Sequence, residues 1–136
     1  MSQGIPNLPA ASKTRPLGIL IVSVLMILFG LAEVATGFTH NFIGQVSTST
    51  VSLSTILGVT LGAFYFLAGL LLLPMRRTAA YIAIVLLCGD VLGRVGMVLA
   101  GLYPVDSFKQ TFAIVVGTLI AAFFAIYIAM RLMVFK

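Results

Sequence analysis

What this chain has least of is charge: aspartate, glutamate, lysine and arginine make up only 8% of it, against about 25% in an ordinary soluble domain. Helices that face water need a polar side, and three acidic and eight basic residues cannot supply one to each helix. The single cysteine, Cys88, excludes an internal disulfide and any multi-cysteine metal motif, and it reads as a small buried packing residue. The single histidine, His40, leaves no base for a Ser or Cys nucleophile deep in the chain and too few ligands for copper or iron. Gly-x-Ser-x-Gly, Cys-x-x-Cys, His-Glu-x-x-His and P-loop patterns are all missing. The expectation is a protein with no catalytic residues, no metal and no cofactor. A net charge of +5 invites a nucleic-acid reading, but the basic residues form no stripe with interleaved aromatics, so nucleic acid is not an expected partner.

What the chain has in abundance is apolar residues, at 61%, gathered into four runs. The first, 17–39, follows a Pro-rich stretch expected to be a mobile tail over 1–16. Twenty-three helical residues reach about 35 Å, enough for a hydrocarbon core of about 30 Å, and too long for the core of a cleaved leader. The others fall at about 53–73, 79–102 and 108–130. Met75 to Thr78 and Tyr103 to Asp106 form tight connections, and Ser107 with Gln110 matches a capping box that opens the last helix. The reading is all-α: one polytopic membrane domain over 17–136, with four spans as two up-down hairpins. Lys13, Arg15, Arg76, Arg77, Arg131 and Lys136 gather at one end and Lys109 at the other, which predicts both termini in the cytoplasm and a place in the cell membrane.

Because lipid is as apolar as leucine, spans associate where small residues let backbones approach. Candidate tracks are Gly30 with Gly37, Gly58 with Gly62, Gly89 with Gly93, and the ladder Gly117, Ala121, Ala125 and Ala129.

The third run carries two ionisable groups inside it, Asp90 and Arg94. Eleven of the residues from Tyr81 to Leu102 are Leu, Ile or Val. They supply about −5 kcal/mol of insertion free energy, while Asp90 and Arg94 cost about 2.5 to 3.5 kcal/mol each, so the run needs partners inside the membrane. Glu33 is the one other ionisable group deep in a span. Counting along the helices puts Asp90 near the midplane and both Arg94 and Glu33 about 5 to 7 Å beyond it. Asp90 and Arg94 share a helix face at i,i+4, and a guanidinium can bridge two carboxylates. Three readings stay open, one of them a contact with a lipid or a quinone. The three groups form a structural clasp, or the spare carboxylate, Glu33 before Asp90, takes a proton or cation during transport. The further inward polar candidates are Ser23, Thr36, Thr60, Tyr65 and Thr118, few for a water path. His40 and Asp106 are candidates for contacts at the face away from the termini.

Four spans, small size and an acid in span one resemble the small multidrug resistance transporters, a likeness that implies a functional role for Glu33. Here Trp is absent, Glu33 is off-centre and Arg94 is added. The chain is more similar to short four-span membrane proteins of archaea and bacteria. The similarity runs from Pro16 to Lys136 and is carried by Gly37-Phe38-Thr39-His40-Asn41-Phe42, Asp90-Val91-Leu92-Gly93-Arg94 and the stretch Leu102 to Phe112. It implies an accessory subunit of a larger membrane enzyme such as the archaeal copper-dependent ammonia monooxygenase, and it transfers no catalytic residues. The expected partners are the lipid bilayer and other membrane subunits, or further copies of this chain.

Overall fold

Four apolar runs in a chain with almost no charge can satisfy their backbone groups in lipid only as helices. The structure, a computed structural model, describes residues 16–42, 45–46, 52–103 and 105–136. It has four long helices: Leu17–Thr39 (α1), Ser52–Leu72 (α2), Arg77–Leu99 (α3) and Phe108–Met130 (α4), followed by a 3-10 turn at Leu132–Val134. Each is long and apolar enough to cross a membrane, so the fold is that of a multi-pass membrane protein built as two hairpins. Between α1 and α2, the two-residue strands β1 (Asn41–Phe42) and β2 (Gln45–Val46) pair antiparallel. The expected tail lies outside the described residues except for Pro16, whose carbonyl accepts from the Ile19 and Leu20 amides. Pro104 and residues 43–44 and 47–51 also lie outside them.

α3 is shifted from its expected bounds, beginning at Arg77 and stopping at Leu99. The stop has a local cause. Gly101 takes a left-handed conformation (φ 69°), its amide donates to Val98 O at 3.1 Å, and Leu102 N donates to Met97 O at 2.9 Å. These are the two bonds of a Schellman closure, for which glycine is the natural residue. α4 opens as expected, with the Gln110 amide donating to Ser107 Oγ at 3.3 Å.

The core is densest at the end that carries the termini. There Ile19, Met26, Leu72, Leu87 and Ile128 are fully enclosed, with Phe135 packed beside them. The last residue closes that end: Lys136 N donates to Met75 O at 3.1 Å, and Arg77 N donates to Lys136 O at 2.7 Å. Met75 itself is left-handed (φ 56°), a strained state for a residue with a side chain, and its carbonyl is held by that pairing. At the opposite end the enclosed cluster is small, consisting of Leu61, Met97 and Tyr103.

α1 and α2 form the closest helix pair, and glycine explains why. A methyl at Gly30 would collide with the Phe66 backbone; one at Gly37 would lie 2.7 Å from Val59 N; one at Gly62 would lie 2.6 Å from Val34 N. Gly58 faces Gly37 directly, and Gly69, which the sequence reading passed over, abuts Ile27 and Ser23. Ser23 Oγ donates to Gly69 O at 2.6 Å, a bond between helices of a kind that contributes about 0.6 to 2 kcal/mol in membrane proteins. Gly93 makes room for the Leu61 side chain, whereas a methyl at Gly89 would rest in ordinary contact, 3.6 Å from the Phe64 ring. The ladder on α4 does not stay on one face. Ala121 is buried, Ala125 half-buried and Ala129 exposed, because each step of four residues advances about 40° beyond a full turn.

These contacts set a contrast between two glycines. Gly30→Ala should lower the unfolding free energy in detergent by about 1 to 3 kcal/mol through overpacking. Gly96→Ala, where nothing lies within 4 Å of the added methyl, should be neutral or stabilising by up to about 1 kcal/mol. Equal effects in thermal melts would contradict the packing described.

Candidate functional site

A carboxylate in hydrocarbon must find a counter-charge, and α3 places one a single turn from Asp90. Arg94 Nε donates to Asp90 Oδ2 at 3.0 Å, and Arg94 Nη2 donates to Glu33 Oε2 at 2.5 Å. One guanidinium thus joins α1 to α3 while it pins its own neighbour. Asp90 is fully buried, and the side chains of Glu33 and Arg94 are 15% and 12% exposed. The structure therefore brings together the three ionisable groups singled out from the sequence. Gly117 has a part in this that small-residue spacing did not reveal. A methyl there would lie 3.1 Å from Arg94 Nη1, so its missing side chain leaves room for the guanidinium rather than for a neighbouring helix.

Glu33 and Arg94 also border a cleft. The backbones of α1 and α4 stay largely apart and meet through long side chains, with the Phe29 and Phe124 rings 6.5 Å apart and Tyr127 reaching Gly18. Beyond Phe29, toward the end away from the termini, they enclose a space of about 470 Å³. Its walls are mainly apolar, from Ala32, Phe112, Ala113, Val116 and Ile120, with Tyr65 and Arg94 on α2 and α3, and with Lys109 and Tyr103 also along it.

Most of the other polar candidates in the spans are already engaged, and Thr60 is exposed rather than turned inward. Thr36, Thr60 and Thr118 donate to the carbonyls four residues back, at 2.7 to 2.8 Å, and Ser23 bonds across to α2. Tyr65 differs. It is 3% exposed, its ring stands beside Phe29 and Phe124, and its hydroxyl has no hydrogen-bond partner among the described residues. A tyrosine deep in an apolar span was the sequence signal for it.

At the end away from the termini, His40 closes α1 in a left-handed conformation (φ 55°), and its Nε2 lies 2.9 Å from Thr55 Oγ1, which links the ends of α1 and α2. Asp106 is exposed just ahead of α4. No protein-family model, curated protein or solved structure matches the chain. Among the described residues, no group of three His, Cys, Asp or Glu side chains is placed to hold a metal ion.

Tyr103, in the α3–α4 connection, is buried enough for its phenol to be pushed up to about 12, against the opposing pull of Arg94 and with Glu33 and Asp90 adding to the rise.

Two outcomes follow from this geometry. Arg94→Gln strands two carboxylates and should cost about 3 to 5 kcal/mol in detergent unfolding, most of it recovered when Glu33→Gln and Asp90→Asn are added. Wild-type stability in the single variant would show that the fork holds nothing together. For Tyr103, both folded and unfolded phenols are neutral below pH 10, so its contribution is intact there and is lost as pH rises from 10 to about 12. Ultraviolet titration of wild type against Tyr103→Phe should show one phenol ionising near pH 12, and a missing transition near pH 10 would contradict its burial.

Proposed function

We propose that the chain is a non-catalytic integral membrane subunit, an accessory component of a larger membrane complex, resident in the cell membrane with both termini cytoplasmic. The observation that carries this reading is the fork at Arg94: each carboxylate of the cluster already accepts from the same guanidinium, the arrangement of a clasp that fixes helix register. The surface supports it as well. On α4 a stripe of large apolar side chains, from Phe108 and Phe112 through Leu119 and Phe123 to Met130, is exposed along the whole helix and is available to lipid and to neighbouring spans alike. The resemblance to short four-span archaeal and bacterial proteins points the same way, toward a membrane enzyme such as a copper-dependent monooxygenase as the host complex.

A small oligomeric, proton-coupled transporter working through Glu33 is the second reading. What favours it is the position of Glu33 on the cleft. The shortage of free hydroxyls beside that cleft weighs against a water-filled path, since four of the five further candidates donate to carbonyls.

Extraction from native membranes in mild detergent, followed by sizing, separates the two. The expected result is a particle several times larger than the 14.4 kDa chain that contains other subunits. A bare dimer or tetramer, with proton-linked vesicle uptake that Glu33→Gln abolishes while assembly persists, would replace the first reading with the second.

A further inference from the structure

Burying a hydroxyl without a partner costs about 1 to 3 kcal/mol, and hydrocarbon provides no water to relieve it. The Tyr65 hydroxyl is in that position, and the Tyr65 side chain lines a cleft large enough for a single small molecule, since ligand pockets typically enclose about 300 to 1,000 Å³. A second donor stands nearby. The carboxylates take Nε and Nη2 of Arg94, while Nη1 is directed toward the α4 wall, over Gly117. Two donors along one cleft call for an acceptor.

The charges beside them limit what kind. Glu33, Asp90 and Arg94 sum to −1, which opposes an anion at depth, and the guanidinium face opposes a cation. The remaining wall is aliphatic and aromatic, so the bulk of the ligand must be hydrocarbon. We propose that the α1–α4 cleft binds one uncharged, membrane-soluble amphiphile whose carbonyl oxygen accepts from the Tyr65 hydroxyl, with Arg94 Nη1 beside it. This site stands apart from the question of assembly, because it depends on the cleft rather than on the outer surface. An ester carbonyl of a neutral lipid and a ring carbonyl of a quinone offer the same chemistry.

The full chain in detergent, titrated with a short-tailed benzoquinone or with a neutral diacylglycerol and followed by native mass spectrometry, tests the site. One molecule per chain is expected. Tyr65→Phe keeps the ring and should weaken binding roughly five- to tenfold, the value of one hydrogen bond. Ala113→Phe fills the cleft from α4, away from the fork, and should abolish binding. Carbonyl-free analogues of both probes should bind at least about fivefold more weakly, a comparison that needs no variant to fold. Binding of the quinone alone, the diacylglycerol alone or both, with these dependences, supports the site and identifies the source. Binding of neither probe, or a probe whose binding is indifferent to Ala113→Phe, to Tyr65→Phe or to loss of its carbonyl, overturns it.

Discussion

Hydrocarbon offers no hydrogen bonds, so a polar group this chain carries into the membrane is costly wherever nothing answers it. The consequence is plainest at Arg94. One fork answers two carboxylates from two helices, which ties the first span to the third although neither is its neighbour in sequence. The same demand explains the hydroxyls of Thr36, Thr60 and Thr118, each turned back on its own helix, and the Ser23 bond that crosses to α2. Packing then follows from what is left. Where glycine lines the contact, as between α1 and α2, backbones touch; where larger side chains intervene, as between α1 and α4, a cleft remains.

A buried ionic network of this kind is poor evidence for stability, because desolvating three charges offsets much of what their attraction returns. Under the proposed reading of the cluster as a clasp, its value lies in specificity. Helices that are apolar on all sides can rotate and slide against one another at little cost, and a triad that closes in one register only removes that freedom. Asp90 is fully enclosed on α3 and Glu33 stands at the cleft edge on α1, so the shared guanidinium holds one residue of each helix.

Much of this was legible in the sequence. Long apolar runs bounded by basic residues and prolines located the four spans, because length alone separates a membrane helix from a core helix. Helical rise and the i,i+4 spacing were enough to set Glu33, Asp90 and Arg94 at compatible heights. Rotation was harder. With no wet face on any helix, periodicity could not indicate which side of α4 meets the bundle, so Gly117 was read as packing when it makes room for Arg94. Capping needed closer attention: Gly101, three residues before Pro104, was a signal for the end of α3, whereas left-handed Met75 carries no residue signature and His40 only a weak one. The pairing of Lys136 with the α2–α3 turn joins segments sixty residues apart and leaves no trace in local patterns.

That terminal pairing has a mechanical side. α4 holds its neighbours less tightly than any other helix, yet its trailing end is knotted by two backbone hydrogen bonds to the turn between α2 and α3. The bundle is therefore riveted at the end that carries the termini, while toward the other end, where α4 is joined to α3, the first and last helices stand apart like jaws. Any change in the gape between the first and last helices has to pivot on that rivet, and the jaws it would open are those that hold Glu33 and Tyr65.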